Sequence, residues 1–279
     1  PPRRDERNRL MATSFGALCT DFYINHKLAL KMDLPSERET ILHFFDRMRK
    51  SLPAMNRFKR YDGELALESA RRDARYTWLA LRRNSIRTGH VNPETMDEAV
   101  KYHKLVLELA PYHLTISPLD IDYVELMYGF DLECKQNHDE VVYEALYADT
   151  PLGNLLRPTP TPGSSPGSSE GDGEDGEASS GGGVLDVQPM FGQSLNSAGD
   201  LQAYYEVKTR PKSRRGSSKR YAGEPISLFL TLRKYGPIDD LSDLPGTLEA
   251  LNHHAEALTT EKLIPDLLTP ITQHIGSSA

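Results

Sequence analysis

Residues 158–183 read PTPTPGSSPGSSEGDGEDGEASSGGG, and this stretch decides how the rest of the chain is organised. It holds no aromatic or large aliphatic side chain and no Lys or Arg. It therefore has too little apolar surface to offset the entropy lost on ordering. Its front is Pro/Thr-rich and stiff, and its back is Gly/Ser-rich and carries Glu170, Asp172, Glu174, Asp175 and Glu177, which repel one another. The expectation is a disordered acidic linker over residues 157–183, with folding sequence on both sides.

Outward toward the N-terminus, residues 17–30 alternate, placing Leu18, Phe22, Ile24, Leu28 and Leu30 on one face of a strand. Ser36 and Glu39 have capping-box spacing, and Ile41, Phe44, Phe45, Met48 and Leu52 recur at helical spacing, which predicts a helix over 37–52. Two alternating runs, 61–69 and 76–83, joined by the polar residues 70–75, predict a hairpin. Asn92 and Pro93 then read as N-cap and first-turn proline of a helix that carries Met96, Val100, His103 and Leu107 and ends near Pro111. Residues 121–133 alternate again, and 139–147 form a short helix. The order β-α-β-β-α-β over residues 13–150 is that of a ferredoxin-like unit.

Beyond the linker, residues 184–191, 201–210 and 226–235 are strand candidates, followed by helix over 244–258 and 260–275 with breaks expected at Pro265 and Pro270. This βββ-helix half, residues 184–275, has too thin a core to stand alone. The predicted fold class is therefore α+β, one composite fold into which the linker is inserted, with residues 1–12 as a flexible tail.

Hydrophobic residues make up 38% of the 279, on the low side for a globular chain, which fits a polar excess gathered into the linker. The formal net charge of -7 excludes a protein that coats nucleic acid through a global positive field, so any anion binding must be local. Cys19 and Cys134 are far apart and belong to no Cys/His cluster, which argues against a disulfide framework or zinc site and for a reducing compartment, the cytoplasm. No run of about 20 apolar residues is present, and the charged start lacks the apolar core of a secretory signal, so no membrane association is expected.

The stretches FGALCTDFY (15–23), SPLD (117–120) and EPISL (224–228) resemble a family of hypothetical proteins of planctomycete-type bacteria. The resemblance implies a bacterial origin and brings no activity or site residue with it.

The most specific catalytic pattern is Glu206-Val207-Lys208, preceded by Asp186. On a strand Glu206 and Lys208 share a face, and with Asp186 they resemble the PD-(D/E)xK nuclease pattern, in which two carboxylates hold Mg²⁺ and the lysine activates water. The competing reading is an ordinary solvated strand face. Downstream, Arg210, Lys212, Arg214, Arg215, Lys219 and Arg220 make a basic loop with the chemistry to contact phosphates, against the plainer reading of a solvated hairpin loop. Glu64 with Glu68, and Glu125 with Asp131 and Glu133, share strand faces as open-face carboxylates do. Trp78, alternating with Tyr76, Ala80 and Arg82, is expected to pack under a helix rather than to stack bases, and His103 reads as a core histidine. Nucleotide-loop, serine-hydrolase and zincin motifs are missing from the sequence. The function read from these features is a non-enzymatic interaction or scaffold module without metal or cofactor. A protein is the expected partner, nucleic acid stays open through the basic loop, and the alternative is a Mg²⁺-dependent nuclease.

Overall fold

The alternation at the start of the chain builds β1 (Asp21–Leu30), in which Phe22, Ile24, His26 and Leu28 are buried while Tyr23, Asn25 and Lys27 stay half-buried. The computed structural model describes residues 15–155, 184, 186–209 and 224–277. The expected tail (1–12) and linker (157–183) lie outside the described residues.

After β1 comes α1 (Arg38–Ser51), which turns Ile41, Phe44, Phe45 and Met48 into the core. No side chain caps its first turn, so the Ser36–Glu39 box legible in the sequence is not made. Four strands follow where two were expected: β2 (Met55–Tyr61), β3 (Glu64–Ser69), β4 (Tyr76–Arg82) and β5 (Ser85–Val91). The expected strand over 61–69 breaks at Asp62-Gly63, where Gly63 takes φ +67. Asp-Gly is a strong hairpin signal because the turn needs positive φ. A second tight turn at Arg83-Asn84 adds β5, where a connection is expected from the sequence.

The next helix, α2 (Met96–His113), starts later than expected because Thr95 is its N-cap, accepting the amide of Glu98 at 3.1 Å. Asn92 has a different task. At φ +49, tolerated by Asn, its side chain accepts the amide of Phe22 at 2.9 Å and donates to Asp21 at 2.6 Å, closing the ends of β1 and β5. Then come β6 (Ile121–Leu132) and α3 (His138–Leu146).

In the remaining described residues β7 (Met190–Ser194), β8 (Leu201–Lys208) and β9 (Ile226–Tyr235) precede α4 (Leu244–Leu258). The chain continues as π-helical turns over Thr259–Leu268 into α5 (Thr269–Ser277). Pro265 does not break this helix. Lacking an N–H, it widens the coil, and the amide of Thr269 reaches back five residues to the Ile264 carbonyl instead of four.

The fold is α+β. All strands among the described residues join one antiparallel nine-stranded sheet in the order β2-β3-β4-β5-β1-β6-β9-β8-β7. Strands from residues 15–155 and from residues 186–277 meet at β6 and β9, which pair from Tyr123↔Tyr235 to Leu132↔Ile226. Leu67, Leu79, Thr88, His26, Leu126, Leu232 and Ala203 form one continuous buried row across seven strands. The helices lie on this side: Phe45 of α1 meets Phe58, His103 of α2 meets His26, and Asn252 of α4 accepts the Tyr128 hydroxyl at 2.7 Å. The opposite face of the sheet carries no helix among the described residues.

Candidate interaction face

On that open face three glycines each sit directly opposite an aromatic residue of the neighbouring strand: Gly89 opposite Trp78, Gly129 opposite Tyr23, and Gly192 opposite Tyr204. A Cβ on Gly89 would lie 2.2 Å from the Trp78 indole, one on Gly129 2.2 Å from the Tyr23 ring, and one on Gly192 2.9 Å from the Tyr204 ring. Each ring therefore packs against its glycine, in space that the side chain of a larger residue would occupy. Glycine in a strand is weak by itself, and covering it with a cross-strand ring restores the lost contact.

Cations form a second layer above these rings. Arg87 lies over Trp78 with its guanidinium 5.8 Å from the ring centre, and Arg233 bridges Tyr123 and Tyr204 at 5.2 and 5.1 Å. Lys27 sits 5.0 Å from the Tyr123 centre and donates to the Tyr123 hydroxyl, and Lys208 lies 5.4 Å from the centre of Phe229. Such contacts hold long, flexible side chains in defined positions.

Carboxylates on the same face neutralise most of these charges. Arg82 pairs with Glu64 at 2.6 Å, Arg233 with Glu125 at 2.6 Å, and Lys208 with Glu206 at 3.0 Å. The Glu125 carboxylate beside Arg233 contributes to holding its guanidinium above the ordinary arginine range, against the opposing effect of burial. Asp131 accepts from the hydroxyls of Tyr23 and Ser227, and Glu68 from that of Tyr61. The face thus carries both signs of charge, most of them paired.

Tyr76, Trp78, Ala80 and Arg82 lie on the open face, not under a helix, because the pleat points Leu79 and Leu81 into the core instead. Glu206 and Lys208 do share a face and are ion-paired. Asp186 lies in the chain before β7, is exposed and accepts the Gln188 side-chain amide at 2.8 Å, and no hydrogen bond or ion pair joins it to either. Arg210, Lys212, Arg214, Arg215, Lys219 and Arg220 lie outside the described residues. Among the described residues no three His, Cys, Asp or Glu side chains are grouped to hold a metal ion.

His103 is fully buried as expected, and it has company that the sequence reading passed over. His26 and His90 are also buried, with the Thr88 hydroxyl 2.7 Å from the His103 ring and 3.4 Å from that of His26. Burial pushes the His26 imidazole down to about 3 and holds His103 well below its usual value. The signal was present, since His26 falls on the same even-numbered face as Phe22 and Ile24. Cys19 is pushed up to about 12, first by burial and then by Asp131 and Asp21, so its sulfur stays a thiol at neutral pH.

No protein-family model matches the chain, and no curated protein matches it.

Proposed function

We propose that this protein is a non-catalytic interaction module that holds a protein partner against the open face of its sheet. The carrying observation is the set of rings packed against glycines, with Arg87 over Trp78 and Arg233 over Tyr204, and with Lys27 and Lys208 seated on the neighbouring Tyr123 and Phe229. Tyr, Trp and Arg are among the residue types enriched at protein interfaces, and here Tyr23, Trp78, Tyr204, Arg87 and Arg233 are held in place before any partner arrives. Preorganisation lowers the entropy lost on binding. Nine strands about 4.8 Å apart, with about seven residues each, span roughly 1,000 Å², comparable to the ~800 Å² that each partner buries in a standard interface.

Charge balance selects the partner class. A polyanion crossing the face would meet Glu64, Glu125, Asp131 and Glu206, whereas a protein surface of mixed charge would meet both signs. Glu206 and Lys208 serve here as a rim ion pair over Phe229. The order β4-β5-β1-β6, with helices following β1 and β5, supports a ferredoxin-like reading of the first half, onto which the β2–β3 hairpin and β7–β9 extend the sheet. Two free cysteines suit a reducing compartment, which supports work in the cytoplasm.

The test is affinity capture with the full chain, with Thr231→Glu at the centre of the face, and with Lys101→Glu on the helical layer as control. Binding partners should be retained by Lys101→Glu and lost by Thr231→Glu, with circular dichroism unchanged in both. Capture of the same proteins by Thr231→Glu as by the unaltered chain overturns the assignment.

A further inference from the structure

At the edge of the sheet, α1 and the β2–β3 hairpin converge on a cleft of about 790 Å³. Its wall is apolar, built from Leu34, Ile41, Leu42, Phe58, Leu65 and Leu81. Phe58 is held in position by Phe45, with ring centres 5.8 Å apart, and yet it stays 50% exposed, and Leu42 stays 38% exposed. Large side chains fixed in a concave, solvent-open site are the usual lining of a small-molecule pocket, and the volume lies within the ~300–1,000 Å³ that such pockets occupy.

Four arginines line the same cleft, and their pairing divides them. Arg82 is neutralised by Glu64 at 2.6 Å and Arg83 by Asp33 at 2.9 Å. Arg38 and Arg60 have no carboxylate partner among the described residues. Arg38 is also the first residue of α1, where the positive end of the helix disfavours a cation and where no side chain caps the backbone amides. An anion at this place would relieve both conditions. Arg60 comes from the core-side face of β2 together with Phe58, so charge and apolar wall belong to one site.

We propose that this cleft binds a small amphipathic carboxylate, its alkyl chain lying along Ile41, Leu42, Phe58 and Leu65 and its head between Arg38 and Arg60. Guanidinium groups suit this head because they bond a carboxylate through two parallel N–H donors. Glu64 and Arg82 of the open face reach its rim, but the apolar wall and the two arginines that would hold the head stand on the helical side.

Titration calorimetry of the full chain with decanoate, with decanol as the neutral arm, tests the assignment. Decanoate should bind saturably with one molecule per chain, and decanol about tenfold or more weakly. The double variant Arg38→Gln/Arg60→Gln should bind decanoate no better than decanol while keeping its circular dichroism, and Leu42→Glu should weaken both ligands. Thr231→Glu should bind decanoate like the unaltered chain, which separates this site from the open face. Undiminished decanoate affinity in the double variant, or no saturable decanoate binding by the unaltered chain, overturns the proposal.

Discussion

The carboxylate of Asp139 accepts the hydroxyl of Thr209 at 2.6 Å inside the protein, across a separation of seventy residues in the chain. The same Oδ1 accepts the amide of Val187 at 3.2 Å. One buried carboxylate on α3 thus ties down both the chain leading into β7 and the end of β8, the two places from which the acidic and the basic low-complexity stretches run.

Removing that carboxylate should be costly, because a buried hydroxyl and a buried amide lose their acceptor together. Asp139→Ala is expected to lower stability by about 2–4 kcal/mol and Thr209→Val by about 1 kcal/mol. Urea unfolding of both single variants and the double variant checks this, and the effects should be clearly non-additive.

Gly89→Ala places a methyl group 2.2 Å from Trp78 and 2.5 Å from the Asn25 side-chain oxygen. The expected loss is about 1–3 kcal/mol, as for other overpacked sites. Trp78 is the sole tryptophan, so its emission should shift in the same variant. In a Trp78→Ala background most of the penalty should disappear, and its persistence would mean that Asn25 rather than the indole sets the cost.

Acid should destabilise the protein through its histidine core. An unfolded imidazole takes up its proton near 6.5 and folded His26 only near 3, so between these values the unfolded chain binds more protons. Stability is therefore full above the unfolded value and falls as pH drops below it, by up to about 1.4 kcal/mol per pH unit for each such histidine. Urea midpoints across this range measure the slope, and His26→Leu should make it shallower by one histidine's share. An unchanged slope in that variant would show that His26 does not carry the effect.

Arg233→Ala removes the cation bridging Tyr123 and Tyr204 and strands Glu125, whose side chain is only 15% exposed. A loss of about 1–2 kcal/mol is expected. Adding Glu125→Gln should recover part of it, because the stranded charge rather than the missing guanidinium stem accounts for that part. Thermal unfolding of the three proteins distinguishes the two contributions.

Local pattern carried much of the fold. The alternation in β1, β6, β8 and β9 and the helical spacing in α1 and α2 were legible because burial repeats at two residues in a strand and at 3.6 in a helix. The Asp62-Gly63 turn was legible too, but it was overridden by the alternation running through it, and β5 was passed over because Ser85–Val91 mixes polar and apolar residues on both faces. Trp78 misled for a related reason. Periodicity says which residues share a face and not which of the two faces a helix will cover.

The cleft arginines that lack a carboxylate partner among the described residues, and the glycine-seated rings, lie beyond the reach of such reading. Arg38 and Arg60 stand on different elements, and whether a charge is paired depends on what the fold brings beside it. Trp78 and Gly89 are neighbours only once β4 and β5 are in register, as Tyr23 and Gly129 are only once β6 lies beside β1. By itself the sequence determined the α+β class, the alternation of buried and open faces and the need for the two halves to share a core, because these follow from local periodicity and from how much apolar surface each half has to bury. The tertiary structure alone decided that β6 and β9 join them into one sheet, that the described helices gather on one face of it, and which rings, cations and carboxylates meet on the other. Those are contacts between residues distant in the chain, set by strand register and not by any local pattern.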